Sequence, residues 1–240
     1  MQIIEVMIKP WDIKNQTSMS FITELETAFE QRRNTNNAAP MEKYMRNHFS
    51  FFGLKTEERR AVFKDILKQN KEEIVTNSRT IATELYLKKE REFHYCAIEI
   101  LIQILKNKYE KDDIHLIEKL LVTNSWWDSV DTISKYILGQ YLIEFPDETF
   151  TVIERFSNSE NMWSNRSAIL FQLGYKQKTN QTILFKECSK HSQSNEFFIQ
   201  KAIGWALREY GKTNPEAVKA FVTQSKLKPL SRKEALKNLS

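Results

Sequence analysis

Glycine is scarce in this sequence, with five residues in 240, whereas an average globular protein contains about 7%. Tight turns and phosphate-binding loops both depend on this residue, so few tight turns and no glycine-rich phosphate loop are expected. Proline is equally rare, with five residues. A chain with so few helix-breaking residues is typical of helices joined by short loops.

Cysteine and long apolar runs are also lacking. The two cysteines, Cys96 and Cys188, are far apart and each falls in a predicted helix. We expect two buried free thiols in a reducing compartment rather than a disulfide. No apolar run approaches the ~18 residues of a membrane span, and the first residues lack the basic and apolar parts of a signal peptide. These features predict a cytoplasmic protein without a membrane partner.

Catalytic and metal-binding motifs that are recognisable in a single sequence are missing too. The four histidines, His48, His94, His115 and His191, show no metal-ligand spacing, and there is no HExxH or CxxC motif. No GxSxG, P-loop or dinucleotide fingerprint is present. The sequence therefore predicts neither a metal site nor a nucleotide cofactor.

The net charge is modestly positive. The chain has 36 basic and 31 acidic residues, a net charge of +5 and a pI of about 9.0. This balance is compatible with nucleic acid or another acidic partner.

Helical periodicity dominates what is present. From Ser18 onward, apolar residues recur at i, i+3 and i+4, without sustained alternation of period two, which predicts an all-α protein. The predicted helices include residues 41–52, 90–108, 125–143, 162–175 and 196–210. Start signals support the later helices, such as Asn214 before Pro215 and a capping box formed by Ser231 and Glu234.

The predicted helices also repeat. Phe93, Trp127, Trp163 and Phe198 each stand near the start of a long helix, at spacings of 34, 36 and 35 residues. Each long helix precedes a shorter amphipathic one. This period predicts an α–α superhelix, or solenoid, of tandem HEAT-like repeats; an irregular helical bundle is the alternative. Residues 18–240 are expected to form one domain, and residues 1–17 an N-terminal extension.

One repeat departs from the others at a position expected to be buried. Four residues after the aromatic position, the other repeats have Ala97, Ser167 and Ala202, whereas the second repeat has Asp131. At ~100° per residue, Asp131 lies about 40° from Trp127 and within the apolar sector of its helix. Small residues at this position allow neighbouring helices to pack closely. In the second repeat, a carboxylate takes the place of such a residue.

A buried charge of this kind needs a partner. Arg166 falls in the apolar sector of the next repeat, so one interpretation is that Asp131 and Arg166 simply pair. The other is that Asp131 is held beside aromatic side chains to act on a cationic ligand. Asp128, about 100° from Trp127, is predicted to lie on the polar side and to support the first turn, while Trp126 is predicted to pack.

The helix predicted at 196–210 carries an aromatic strip. Its core face has five members, Ile199, Ile203, Ala206, Leu207 and Tyr210. Phe198 and Trp205 lie roughly opposite, flanked by Lys201 and Arg208. Such a strip can pack on sugars while the cations meet phosphates. The alternative is that Trp205 packs between two helix layers.

Four segments resemble the AlkD family of bacterial DNA glycosylases: "MEKYMRNHFSFFGLKTEERR", "SWWDSVD", "RSAILFQLGYKQK" and "EFFIQKAIGWALREYGKTNP". The resemblance covers about residues 19 to 240. It implies tandem HEAT-like repeats with a concave basic face that cradles duplex DNA. It also implies excision of N3- and N7-alkylated purines, such as 3-methyladenine and 7-methylguanine, by a monomer that needs no metal, cofactor or protein partner and leaves the damaged base stacked.

The resemblance also implies roles for individual residues. The family's catalytic carboxylate falls on Asp131, and its two sugar-contacting tryptophans fall on Trp127 and Trp205. Placing Trp127 and Asp131 one helical turn apart brings both to the same sugar.

The DNA-contacting arginine of the family falls on Arg166. Arg208 matches a further position that faces the DNA backbone, with Lys201 beside it, and Tyr44 matches a tyrosine near the DNA in the first repeats. Lys55 stands where the family pattern has glutamine, which puts the contact to the strand opposite the lesion in doubt. The alternative function is that of a catalytically inactive DNA-binding relative or a protein scaffold.

Overall fold

A computed structural model describes residues 20–239, which form helices and connecting turns without a β-strand. The chain divides into two compact units after Thr76. The extension predicted at residues 1–17 lies outside the described residues.

The first unit contains three complete helices: α1 (Phe21–Glu30), α2 (Thr35–Tyr44) and α3 (Thr56–Gln69). Side chains of Ser20 and Asn34 cap the first two by accepting backbone N–H bonds. The rings of Phe21 and Phe63 meet edge to face at 6.3 Å where α1 packs on α3. Helix α4 (Lys71–Tyr86) is non-helical at Asn77, where the two units divide.

The helix predicted over residues 41–52 is wrong beyond Tyr44. Arg46 and Asn47 adopt left-handed φ angles of 54° and 58°, which end the helix. Phe51 and Phe52 then continue in non-helical backbone and are buried. Their apolar spacing imitates a helix because both side chains reach the core.

The second unit contains pairs of helices in sequence order, and their bounds are α5 (Arg91–Ile104), α6 (Asp113–Val122), α7 (Trp127–Ile133), α8 (Gly139–Glu144), α9 (Thr149–Ser157), α10 (Met162–Leu170), α11 (Gln181–Lys190), α12 (Phe197–Gly211), α13 (Pro215–Gln224) and α14 (Pro229–Ala235). A π-helical turn (Ser134–Leu138) joins α7 to α8, so the two run as one long helix. Three-residue 3₁₀ turns lie at Pro146–Glu148 and Lys176–Lys178.

The predicted repeat is present in this second unit. Phe93, Trp127, Trp163 and Phe198 each lie within the first three residues of α5, α7, α10 and α12. A second helix follows each of these helices, as in an α–α superhelical repeat fold. It is the shorter of the two in three repeats, whereas α11 has ten residues and α10 has nine. The all-α prediction is therefore confirmed, whereas the concave basic face stays a prediction. None of the helices described between residues 20 and 239 is long and apolar enough to cross a membrane.

The prediction of two buried free thiols is also confirmed. Cys96 and Cys188 are free and fully buried in α5 and α11. Burial raises the pKa of the Cys188 thiol far above its usual value. Both side chains act as small apolar core residues.

Helix α14 packs closely on α12 at Gly204. A Cβ atom at Gly204 would lie only 2.3 Å from Cβ of Glu234 and 3.0 Å from the carbonyl oxygen of Ser231. Ser231 is buried inside α14, and its hydroxyl donates to the Gln200 carbonyl at 3.1 Å. The predicted capping box is therefore wrong, because Ser231 and Glu234 both face α12.

We expect Gly204→Ala to destabilise the protein. Alanine favours helix by about 1 kcal/mol over glycine, but its Cβ would displace α14, and overpacking of this kind costs about 1–3 kcal/mol. The free energy of unfolding from urea titration measures the net effect. Ser189→Ala, at an exposed position of α11, is the control for helix propensity without a close contact. A Gly204→Ala protein as stable as this control would contradict the packing argument.

Candidate active site

Asp131 and Arg166 form the central contact of the candidate site. Nε and one terminal nitrogen of Arg166 donate to the two carboxylate oxygens of Asp131 at 2.7 and 2.9 Å. The pair joins α7 to α10, and the side chains are 14% and 5% exposed. The first interpretation of the sequence, that the two charges pair, is confirmed, and it leaves one edge of Asp131 accessible for a second role.

The other terminal nitrogen of Arg166 donates to the backbone carbonyl of Phe198, at the start of α12. The guanidinium also lies 5.9 Å from the centre of the Phe198 ring. Arg166 therefore connects three successive long helices, α7, α10 and α12. Each of the three guanidinium nitrogens, Nε and the two terminal ones, therefore has a partner within the protein.

An aromatic cluster covers this arginine. The rings of Trp126, Trp163 and Phe198 lie 5.1 to 5.8 Å apart, and Phe197 extends the cluster at 5.5 Å from Phe198. Phe197 is 56% exposed. The packing role predicted for Trp126 is confirmed, since its ring contacts those of Trp163 and Phe198.

The environment of Asp131 acts on its pKa in two directions. Burial raises the pKa of this carboxyl above the ordinary value, while the bonds and charge of Arg166 lower it. Asp128, one turn earlier on the helix, adds to the increase. Burial is the largest of these influences, so the pKa of Asp131 lies above its ordinary value, and Arg166 opposes this increase.

Asp128 has a different role from the one predicted. Its carboxylate accepts bonds from Arg91 at 2.6 and 3.2 Å and from the Tyr95 hydroxyl at 2.7 Å. Arg91 is fully buried and Asp128 is 10% exposed. The predicted solvent-facing position is wrong because α7 is covered on two sides, by α5 and by α10, and a single apolar sector describes only one of them.

Further bonds extend this pair into a buried network. Arg91 also donates to Ser129 Oγ and to the Asn124 carbonyl, each at 2.7 Å, and to Nδ1 of His94 at 3.0 Å. A guanidinium cannot accept, so Nδ1 of His94 accepts and its Nε2 donates to the Lys88 carbonyl at 2.8 Å. The network fixes the loop and first turn that carry Trp127.

A π-helical turn begins three residues after Asp131. It spans Ser134–Leu138, and Oγ of Ser134 lies 2.9 Å from Oγ of Ser167 on α10. Such turns interrupt α-helices frequently at functional sites. Here the turn lies next to the one repeat position that has gained a carboxylate.

The two predicted sugar-contacting tryptophans are partly exposed. Trp127 is the first residue of α7, one turn before Asp131. Trp205 lies on α12, which packs on α10, and one side of it contacts the core of the last repeats. The packing interpretation of Trp205 therefore holds for part of its surface, and the rest is accessible.

Lys201 and Arg208 meet at a carboxylate that sequence reasoning had not linked to them. Glu234 on α14 accepts from Lys201 Nζ at 2.8 Å and from Arg208 at 2.6 Å. Arg208 also donates to the Glu234 carbonyl oxygen at 3.0 Å. These two partners lower the pKa of Glu234 to about 2, so it is ionised near neutral pH.

Two of the predicted DNA-facing positions belong to the first unit. Tyr44 ends α2 and is 68% exposed. Lys55 precedes α3 and is also exposed. Both positions are accessible to a partner, and their roles stay predictions.

Two other groups were missed by sequence reasoning. The Arg91–Asp128 pair could have been found from the 37-residue spacing of the two charges, close to that of Asp131 and Arg166, because one repeat period brings side chains of neighbouring helices together. Glu234 carries no comparable signal, since its contact with α12 depends on the close approach at Gly204.

Comparisons with known proteins identify the family of this chain. Residues 25–239 match the sequence model of one family, described as DNA alkylation repair enzyme. A solved structure described as a predicted DNA alkylation repair enzyme from Enterococcus faecalis is 35% identical, with a TM-score of 0.79 over 87% of this chain and 97% of that chain. The structure of smu.31 from Streptococcus mutans UA159 is 16% identical, with a TM-score of 0.57 over 77% and 98% of the two chains, and shares the fold alone. No curated protein matches the chain.

The network around Arg91 predicts a loss of stability in acid. Burial, reinforced by the charge of Arg91, lowers the pKa of His94 to about 4, against about 6.5 in an unfolded chain. The unfolded state therefore binds a proton first as the pH falls. The stabilisation is fully present above pH 6.5 and is lost towards pH 4, by about 3 kcal/mol.

Glutamine at this position can accept and donate without titrating, so we expect His94→Gln to show a shallower dependence of unfolding free energy on pH between 7 and 4.5. Urea titrations at several pH values measure this dependence. His115→Gln, at an exposed histidine, is the control. Equal slopes in the wild type and in His94→Gln would show that His94 does not titrate as described.

Proposed function

This chain belongs to the family of DNA alkylation repair enzymes, and we propose that it is an AlkD-type DNA glycosylase. The proposed reaction is hydrolysis of the N-glycosidic bond of N3- and N7-alkylated purines in duplex DNA. The proposed enzyme acts as a monomer in the cytoplasm and uses its own side chains without a metal or cofactor.

The observation that carries this proposal is the position of Asp131. The equivalent residues Ala97, Ser167 and Ala202 are fully buried, and only the second repeat places a charge there. Asp131 retains 14% exposure, and Trp127, one turn earlier, is partly exposed. A carboxylate that is largely desolvated, bonded to a guanidinium and still reachable is suited to a reaction through a cationic sugar.

The chemistry follows from the charge of the damaged base. Alkylation at N3 or N7 makes the purine cationic, so it leaves readily and needs no strong general acid. As the glycosidic bond breaks, positive charge develops on the sugar, and a fixed carboxylate stabilises it electrostatically. Asp131 also orients the attacking water, whose oxygen bonds to the anomeric carbon and whose proton is released.

Trp127 and Trp205 contribute through their ring faces. Indole rings attract a cation and exclude bulk water, which strengthens the field of the carboxylate. Trp127 lies one turn from Asp131 on the same helix. Trp205 comes from α12, which packs on the helix that carries Arg166.

Arg166 is proposed to position Asp131, which revises the phosphate contact expected from the resemblance. Its guanidinium is 5% exposed and holds Asp131 and the Phe198 carbonyl. So little exposed surface leaves it poorly placed to meet a phosphate. Partly exposed Lys201 and Arg208, with Tyr44 in the first unit, remain the proposed contacts to the DNA backbone.

We expect Asp131→Asn to bind DNA almost as tightly as the wild type while base release slows about 10²–10³-fold, because one preorganised electrostatic group is worth about 3–4 kcal/mol. The measurement is release of free base from 7-methylguanine DNA under single-turnover conditions, together with a binding titration. Asp147→Asn removes the same charge from an exposed site and serves as the control. Normal excision by Asp131→Asn would overturn the catalytic role of Asp131, whereas no excision by the wild type would favour an inactive DNA-binding relative or a scaffold.

The variant Arg166→Ala tests whether Arg166 positions Asp131 or contacts a DNA phosphate. Without Arg166 the influence that lowers the pKa of Asp131 is lost, so the carboxylate protonates at a higher pH. We expect slower base release and an acid limb of the rate–pH profile displaced to higher pH, with partial recovery in Arg166→Lys. Circular dichroism checks that the variants remain folded.

The salt dependence of DNA binding decides between the two roles of Arg166. A lost phosphate contact makes the dependence shallower by about one unit of slope. A positioning residue leaves it unchanged. A shallower slope together with an unshifted pH profile would overturn the positioning role.

A further inference from the structure

A basic pocket lies where the end of α12 meets the end of α14. Its volume is about 360 Å³, and it is lined by Arg208, Gly211, Lys212, Pro215, Lys237, Asn238 and Leu239. Three of these residues are cations and none is a carboxylate. The pocket therefore has the charge and the size to receive a phosphate group.

The cations of the pocket retain donors that can serve a ligand. Lys237 is exposed and has no ion-pair or hydrogen-bond partner within residues 20–239. Arg208 uses one terminal nitrogen for Glu234, while its Nε and second terminal nitrogen have no partner in that part of the chain. Lys212 is bonded to Glu209, and this lysine is 66% exposed, so the contact is weak in water.

Glu234 makes the pocket rigid on one side. It holds Arg208 through both a carboxylate oxygen and its backbone carbonyl. A side chain fixed in this way loses little further conformational freedom when a ligand binds. Glu234 does not line the pocket. Its carboxylate therefore bonds to Arg208 without adding a negative charge to the pocket wall.

Compensation of the helix dipole accounts for only part of this arrangement. Cations in the last turn of α12 are stabilising near its negative end, which explains Arg208 and Lys212. Lys237 follows α14, a different helix, and it has no such role at α12. Neither the third cation nor the open volume between the helices is explained in this way.

We propose that Arg208, Lys212 and Lys237 form a phosphate subsite that binds one backbone phosphate of DNA, separate from the site at Asp131. This inference rests on the proposed function for the identity of the ligand. Lys212 lies seven residues after Trp205 on α12, or about 10 Å along the helix axis. The subsite therefore lies roughly two turns of α12 away from Trp205.

The test is the salt dependence of binding to an undamaged duplex by the full-length double variant Lys212→Gln/Lys237→Gln. Both lysines are exposed, so the variant is expected to fold. We expect a several-fold weaker affinity at fixed salt and a slope of log K against log salt that is shallower by about 0.9. The control is Lys111→Gln/Lys190→Gln, which removes the same charge from exposed lysines bonded to Glu148 and Asn158. An equal change in the control would overturn the subsite.

A second arm distinguishes a DNA phosphate from a free phosphate ion. The midpoint of thermal unfolding is measured in sodium phosphate and in sodium chloride of equal ionic strength. Phosphate stabilisation lost in the double variant, with DNA binding unchanged, would identify a free ion as the ligand and overturn the DNA contact. No change in either arm would overturn the site.

The outcome is independent of catalysis, because undamaged DNA binds without base release. If the wild type releases no base but the double variant shows the shallower slope, the glycosylase proposal fails and the subsite stands. If base is released and the slope is unchanged, the subsite fails alone.

Discussion

A carboxylate inside a helical repeat must be paired, and the pairing of Asp131 with Arg166 organises the candidate site. Breaking a buried pair of this kind costs about 3–5 kcal/mol, because the remaining charge stays desolvated. Arg166 in turn bonds to the Phe198 carbonyl, which ties the start of α12 to the same group. The aromatic cluster around Phe198 then excludes water from the arginine. One guanidinium thus links α7, α10 and the start of α12.

The pair between Arg91 and Asp128 completes this arrangement from the other side. Arg91 comes from the repeat before α7 and Arg166 from the repeat after it. The first five residues of α7, from Trp127 to Asp131, are therefore fixed by opposite neighbours. Rigid support of this kind suits a site in which electrostatic stabilisation depends on orientation set before the reaction.

The fold and the central residue could both be predicted from the sequence because both are visible in its repeat pattern. Repeat spacing identified the helix pairs, and comparison between repeats isolated Asp131 as the exception. The errors arose where a contact is not periodic. Asp128 was placed towards solvent because a helical wheel assumes one covered face, whereas α7 has two. Glu234 was taken for a cap because its sequence neighbour Ser231 fits that pattern, while its real partners are some 30 residues away on α12. Left-handed Arg46 and Asn47 ended a helix that apolar spacing alone extended.

The two arginine–aspartate pairs also limit the modularity of the chain. In many solenoids each repeat contacts only its neighbours through similar surfaces, so repeats can be exchanged or added. Here α5, α7 and α10 carry different members of two ion pairs, and each pair crosses a repeat boundary. Copying any one of these helices would leave an unmatched charge between repeats. The middle of the second unit is therefore fixed in order, and length variation among related chains is compatible with this site only at the ends of the array.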